Sequence, residues 1–306
     1  MSNNQDDVVK IASAQLGKKA GDYSDFVDIT EVRPDFLVPI PRRLNRVDIG
    51  VRDDALPFVG FDTWHGYEVS ALTENGYPVS GMVKLAYPSD SECMVESKSM
   101  KLFWNSFNMV KLGKTVEDVI KNLEVIGSEH LSRAAGAHVD VKFFRYEPKI
   151  TSARQWQDEF IMIEALVDVN TIKFDTYTDD PSLVKGVEKP GMQRIRTNVL
   201  RSNCRVTHQP DFGDIFIHIA GHKTVDPASI LQYIVSMRKE SHFHEEIVER
   251  VYTVLLNVLE PDELMVTALY TRRGGWDICP ARATAPNLLP QPLGMVLDYD
   301  NKTLRQ

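Results

Sequence analysis

Two stretches of the chain repeat the same order of apolar and polar positions. The first runs Val95-Glu96-Ser97-Lys98-Ser99-Met100-Lys101-Leu102-Phe103-Trp104-Asn105-Ser106-Phe107, and the second Val225-Asp226-Pro227-Ala228-Ser229-Ile230-Leu231-Gln232-Tyr233-Ile234-Val235-Ser236-Met237. Val225 follows Val95 by 130 positions, and Ser236 follows Ser106 by the same 130. Upstream, Leu72 to Asn75 echoes Leu200 to Asn203. Downstream, each half carries a second helical pattern, with Val116, Val119, Ile120 and Leu123 in one and Ile247, Val248, Val251, Val254 and Leu255 in the other. Strand-like segments then close each half, Val139 to Tyr146 and Leu264 to Thr271. The simplest account is a duplicated unit running strand, strand, helix, helix, strand, strand.

Local signals fix individual elements. Asp226 followed by Pro227 predicts a helix start, with a side-chain acceptor at the cap and proline in the first turn. Val225 and Ile230 stand where a hydrophobic staple closes such a start, and Ile230, Leu231, Ile234 and Val235 form one core-facing stripe. Ile215, Ile217 and Ile219 alternate with Phe216 and His218 as in a half-buried strand. Pro261-Asp262 stops the last long helix. Residues up to about Asp54 read as a polar lead-in with short proline-containing segments. Antiparallel strands with helices on one face give an α+β class.

Composition narrows the function classes. With 306 residues, 25 % charged and 43 % hydrophobic, the chain has ordinary globular composition and can bury one large core or two smaller ones. A net charge of -8 argues against a phosphate-backbone binder, so nucleic acid is not expected as a direct partner. No stretch approaches the roughly eighteen apolar residues of a membrane span. The start, Met1 to Gln15, lacks the layout of a secretion signal. Three cysteines, Cys93, Cys204 and Cys279, show no metal-type pairing and suit a reducing cytoplasm.

Four stretches could carry chemistry. In Cys204 to Asp214, turn residues Gln209-Pro210-Asp211-Phe212 can fold the chain back and set Asp211 near Cys204. A thiol beside a carboxyl can attack an electrophilic carbon and deliver a proton to the attached heteroatom. The same residues also suit a buried cysteine and a turn-forming aspartate. In Glu240 to Glu246, Glu245 and Glu246 fit the positive end of a helix. His244-Glu245-Glu246-Ile247-Val248 fails the zinc-protease pattern at its fifth position, and Cys204, His208, His242 and His244 match no structural zinc spacing. Serines, Lys98 and free backbone N–H groups at the start of the Glu96-Ser97-Lys98-Ser99 helix suit an anion, or simply solvent. Arg272-Arg273-Gly274-Gly275 suits a phosphate clamp or a charged hairpin tip. No glycine-rich dinucleotide fingerprint, phosphate loop or serine elbow is present.

Together, Glu96 to Ser99, Cys204 to Asp211, Phe243-His244-Glu245 and Arg272 to Gly275 resemble the QueF family of 7-cyano-7-deazaguanine reductases in its two-module form. The likeness extends to Pro39-Ile40-Pro41-Arg42 and Pro57 to Trp64. The resemblance implies tandem tunnelling-fold modules, antiparallel sheets with two helices on one face of each, divided here as residues 1–160 and 161–306. It implies that the modules have shared out the work. The first keeps Glu96 to Ser99 but has Gly76 near the nucleophile position. The second keeps Cys204, Asp211, His244 and Glu245 but reads Asp226-Pro227-Ala228-Ser229 at the other motif. One site per chain, at the junction, and a homodimer are therefore expected.

By the same resemblance, Cys204 is the nucleophile, forming a thioimide with the nitrile, and Asp211 the proton donor to its nitrogen. Such a nucleophile calls for a depressed pKa or a nearby base. Val95, Glu96, Ser97, His244 and Glu245 bind the substrate base. Ser97, Lys98, Arg273 and Gly274 contact NADPH, with Arg272 a weaker candidate. The implied reaction is the four-electron reduction of the nitrile to the amine in queuosine biosynthesis, with NADPH and no metal. Rival readings are a cysteine-dependent nitrile hydrolase, a cyclohydrolase-like enzyme of the same fold, and a binding module without activity. Cys279 is assigned no role.

Overall fold

The computed structural model describes residues 29–145 and 156–298, together with residues 7, 9–11 and 306. The lead-in forms a short strand β1 (Pro39–Pro41) and a helical turn α1 (Arg43–Arg46). The first unit then runs β2 (Val59–Thr73), β3 (Pro78–Pro88), β4 (Cys93–Val95), α2 (Ser97–Asn105), β5 (Lys111–Gly113), α3 (Val116–Ala135) and β6 (Asp140–Phe144). Two short strands follow, β7 (Ile161–Met162) and β8 (Gly186–Val187). The second unit runs β9 (Gly191–Asn203), β10 (Pro210–Gly221), β11 (Thr224–Val225), α4 (Pro227–Ser236), α5 (His244–Leu259), β12 (Glu263–Tyr270) and β13 (Trp276–Ala283), and a turn α6 (Gln291–Gly294) comes last. The class is α+β. Tyr146, expected at the end of the first half's closing strand, lies outside the described residues.

The 130-residue spacing has a hydrogen-bond counterpart. Glu96 caps α2, its carboxylate accepting from the Lys98 and Ser99 amides at 2.9 and 2.7 Å; Asp226 caps α4, accepting from the Ser229 amide at 3.0 Å. Ser99 and Ser229 each donate their hydroxyl to the cap residue's carbonyl, at 2.7 and 2.8 Å, and each accepts an amide from the residue just before a short strand, Val38 before β1 and Lys185 before β8. Ser106 and Ser236 close the two helices by bonding Phe103 and Tyr233 carbonyls. The serines shared by the two stretches thus hold each helix to its strand, which is why they recur.

One nine-stranded sheet has the order β6-β3-β2-β13-β12-β10-β9-β7, with β5 alongside β2. The units meet where β13 pairs antiparallel with β2, from Trp276 opposite Gly66 to Ala283 opposite Val59. The close approach there needs glycine, since a Cβ at Gly66 would lie 2.3 Å from the Trp276 ring. On the helical face, Trp64, Val83 and Leu85 pack with Phe103, Trp104 and Leu123, while Ile215, Ile217 and Ile219 pack with Ile230, Ile234, Val251 and Leu255. The two cores exchange residues: Trp276 and Ile278 join the first, Val51 and Phe58 the second.

The other face corrects one expectation. The strand carrying Ile215, Ile217 and Ile219 is buried on both sides, because Phe216 is covered by Trp156 and Phe160, with Met265, Leu269 and Leu293 in the same cluster. His218 on that face is occupied by Glu263 at 2.8 Å. The chain's own segments around residues 156–160 and 286–294 close over the sheet, which alternation along a single strand could not reveal.

Candidate active site

The residues singled out from sequence converge where the two units join. A cavity of about 330 Å³ is lined by Val95, Glu96, Ser97 and Lys98 from the start of α2, Cys204, Gln209 and Asp211 from the β9–β10 turn, His244 and Glu245 from the start of α5, and Arg273 and Gly274 from the β12–β13 turn. The strand ladder explains how Cys204 and Asp211 share it. Ser202 is paired with Asp211, and the Cys204 amide extends the ladder by bonding the Gln209 carbonyl at 2.8 Å. Side chains two apart on a strand point the same way, so Ser202, Cys204, Gln209 and Asp211 occupy one face. The tip closes through His208, in the left-handed region at φ 55°. Asn203 ties this turn to the approach to α5, bonding Glu240 and His242 backbone groups at 2.7 and 3.1 Å.

At the start of α5 the structure separates two adjacent acids. Glu246 is structural: it accepts from the Phe243 amide at 2.7 Å and pairs with Arg205 at 3.2 Å. Glu245 faces the cavity instead, and burial, reinforced by the charge of Asp62, pushes its carboxyl up to about 7. His242 is committed to Glu240 and Glu246 at 3.1 and 3.5 Å. His244 stacks on the Tyr270 ring, centroids 3.8 Å apart, and presents Nε2 to Asp211 at 3.3 Å.

Asp211 lies between His244 and Arg273. Its Oδ1 accepts from Arg273, which also bonds Gln209 Oε1 at 2.6 Å, and its Oδ2 faces His244. Burial works against its charge, but His244 and Arg273 outweigh it and hold the carboxyl below the usual range. Across the cavity, burial pushes Glu96 up despite the amides it caps. Those amides correct a further expectation: the Lys98 and Ser99 N–H groups at the start of α2 are not free for an anion, because Glu96 takes them. The Ser97 hydroxyl also points to Glu96, donating to Oε1 at 3.3 Å, and Lys101 pairs with Glu68 at 3.2 Å, so an anion here would draw first on the side chain of Lys98. Arg272 is exposed and stacked 3.4 Å over the Tyr67 ring, outside the cavity lining.

Residues 29–143 match the family described as nitrile reductase, 7-cyano-7-deazaguanine-reductase N-term, and residues 210–287 match the QueF-like proteins. A protein of Colwellia psychrerythraea named NADPH-dependent 7-cyano-7-deazaguanine reductase is 36 % identical over 288 residues, covering 92 % of this chain and 95 % of its own. One of the same name from Coxiella burnetii is 39 % identical over 264 residues, covering 85 % and 90 %. The chain belongs to the 7-cyano-7-deazaguanine reductase family. A solved archaeosine synthase QueF-Like in the apo form superposes on 32 % of the chain at 17 % identity, with a TM-score of 0.30, too partial a likeness to bear on the fold.

For a member of this family the cavity holds more than the motifs indicated. Lys101 lines it one turn beyond Lys98, a spacing that puts both ammoniums on one helical face. Trp64 and Trp276 form an apolar wall from β2 and β13, where Gly66 opposite Trp276 was the sequence trace of the contact. Tyr270 had no signal at all, since its stacking on His244 depends on β12 passing beneath α5. His65, Asp277 and Cys279 bring potential metal-ligand atoms within 4.8 Å of one another elsewhere, but both Asp277 oxygens are occupied, by His65 at 2.6 Å and Tyr67 at 2.8 Å.

Proposed function

We propose that this chain reduces the nitrile of 7-cyano-7-deazaguanine to the primary amine 7-aminomethyl-7-deazaguanine, with NADPH as reductant, in queuosine biosynthesis. The observation that carries this reading is the convergence of Cys204, an ionised Asp211 and the buried carboxyls Glu96 and Glu245 in one cavity between the two units. The names of the relatives support it.

Asp211 is held ionised, so a proton donor's role requires that it first collect a proton. The Cys204 thiol is the source. Sulfur adds to the nitrile carbon, one carbon–nitrogen π bond opens, and Asp211 passes the thiol proton to the nitrogen, leaving a neutral thioimide. His244 and Arg273 then stabilise the carboxylate that Asp211 becomes again. Glu245, assisted by His244, and Glu96 accept from the N–H donors of the guanine-like edge, with Val95 and Ser97 beside it. Reduced nicotinamide, when bound, would supply two hydrides to the former nitrile carbon, and two protons from water would complete the amine and restore the Cys204 thiol as the carbon–sulfur bond breaks. The residues present suit such a group: Lys98 and Lys101 offer ammoniums beside the Ser97 hydroxyl, and Gly274 leaves a cradle in which a Cβ would lie 3.2 Å from Lys101 Nζ. Arg273 would have to leave Asp211 to contact a phosphate.

The same reading makes residues 1–160 and 161–306 two tunnelling-fold modules, the matched caps of α2 and α4 being its support, with one site per chain, a homodimer as the working unit and a reducing cytoplasm as its setting. No described helix is long and apolar enough to cross a membrane. The test is NADPH oxidation on mixing with 7-cyano-7-deazaguanine. Two NADPH per nitrile are expected, with activity lost in Cys204→Ala. Ammonia release without NADPH consumption would replace the reductase with a hydrolase.

A further inference from the structure

The turn that follows Cys204 is open to solvent except at its first residue. Thr207, His208 and Gln209 are exposed and Val206 is half-buried, yet Arg205, directly after the nucleophile, is 5 % exposed. Burial of a guanidinium has to be offset by partners on all its sides. Its Nη1 donates to Asn45 Oδ1 on α1 at 2.9 Å. Its Nη2 lies 3.0 Å from His242 Nδ1 and 3.2 Å from Glu246 Oε1. Its Nε donates to the Ser241 carbonyl at 3.4 Å, and the guanidinium carbon stands 5.9 Å from the centre of the Phe243 ring.

Most of these partners belong to the approach to α5 and its first turn, the segment that presents Phe243, His244 and Glu245 to the cavity. Glu246 completes the tie, because its other oxygen accepts from the Phe243 amide at 2.7 Å. Phe243 and Glu246 flank His244 and Glu245, and are thereby joined to each other and to the residue after Cys204. The backbone bonds of Asn203 to Glu240 and His242 join the same segments just before the nucleophile. Cys204 is thus held between two attachments to the start of α5. Val206 extends the second of them on the apolar side, in a cluster with Phe243, Ile40, Met94 and Leu44. Arg205 itself does not line the cavity.

We propose that Arg205 is a positioning residue for the addition step: it fixes where the Cys204 sulfur stands relative to the base that Glu245 holds. The inference rests on the substrate reading above. Recognition of the guanine-like edge belongs to Glu96 and Glu245, whereas attack needs sulfur and nitrile carbon aligned and about 3–3.5 Å apart. A misplacement of about 1 Å costs on the order of 100-fold in rate, so loosening this turn removes rate far more than affinity. Lysine replaces the guanidinium only in part, since one ammonium lacks the planar fork that meets Asn45, His242 and Glu246 together.

The test separates rate from affinity. Stopped-flow absorbance of thioimide formation at saturating 7-cyano-7-deazaguanine, without NADPH, gives a rate constant and an amplitude, and calorimetry in a Cys204→Ala background gives affinity. Arg205→Met is expected to slow adduct formation by about 10- to 100-fold at unchanged amplitude, with affinity within about threefold of the parent. Arg205→Lys should recover part of the rate. Glu246→Gln, which keeps an acceptor for the Phe243 amide but loses the ion pair, should also slow addition. Combined with Arg205→Met it should add less than its own effect, as expected of two residues acting through one contact. Should Arg205→Met fail to fold, Arg205→Lys and Glu246→Gln, which keep the buried site polar, carry the same comparison. A merely structural role predicts a smaller amplitude with a normal rate in the fraction that stays folded. That result, an unchanged rate, or rate and affinity falling in equal measure would overturn the inference alone. No adduct with the parent protein would overturn the substrate reading, and this inference with it.

Discussion

Asp211 and Glu245 are carboxyls lining one cavity, and their neighbours push them in opposite directions. Asp211 has a histidine and an arginine on its two oxygens and stays charged; Glu245 is buried near another carboxylate and is pushed up to about 7. For Glu245 the raised value means that the folded protein holds a proton the unfolded chain has already lost. Stability therefore falls as pH rises from the ordinary range near 4.5 to about 7, and the loss persists above it. Glu245→Gln should raise ligand-free stability by on the order of 3 kcal/mol at pH 8 and by nothing near pH 4, measured by urea unfolding, while losing substrate affinity. Asp211→Asn should slow adduct formation by about 10²- to 10⁴-fold in stopped-flow absorbance, because it can neither take the thiol proton nor pass it on. The strand-and-turn pattern made the Cys204–Asp211 neighbourhood readable, since residues flanking a tight turn on alternating strands share a face. The ionisation states were not readable. They depend on burial and on Arg273 and Asp62, which reach the two carboxyls from segments distant in sequence.

The helix starts Glu96 and Asp226 occupy equivalent places in the two units and have diverged in use. Both carboxylates cap a helix, but only Glu96 also lines the cavity. Asp226→Ala should therefore cost about 1 kcal/mol in urea unfolding and leave kcat/KM unchanged. Glu96→Gln should lower kcat/KM substantially at a similar or smaller stability cost. The Asp226 cap was visible in the sequence, from an acid directly followed by proline; that of Glu96 was passed over, because the amides it takes were expected to be open to an anion. The lead-in was less visible. Its prolines and arginines read as a polar approach, yet Arg42 and Arg46 are 2 % exposed, held by Asp62 on β2 and Glu249 on α5. Burial of a charged residue is decided by its partner, and the partner was far away in sequence. The closed second face of the sheet was hidden for the same reason.

Across the whole molecule, the two units share one sheet, exchange core residues and are bridged by buried ion pairs, Asp62 with Arg42 and Arg282 and Glu249 with Arg46 and Arg282. Glu249→Ala would leave Arg46 and Arg282 buried without their main acceptor, and should cost about 3–5 kcal/mol, with both units unfolding in a single transition by circular dichroism and tryptophan fluorescence. The 130-residue spacing and its matched helix starts were legible, but the manner of joining was not, because nothing in either stretch names its neighbour. That joining places β13, the final strand, in the middle of the sheet against β2, its first long strand. A ribosome makes these two edges some two hundred residues apart, so β2 must wait with one flank bare through most of synthesis. A nascent chain halted at residue 262 would carry Cys204, Asp211, His244 and Glu245 and still lack the wall that Trp276 and Ile278 supply. Translation must reach its last strand before the enzyme has a floor to its cavity, and until then the waiting edge is where a chaperone would hold it.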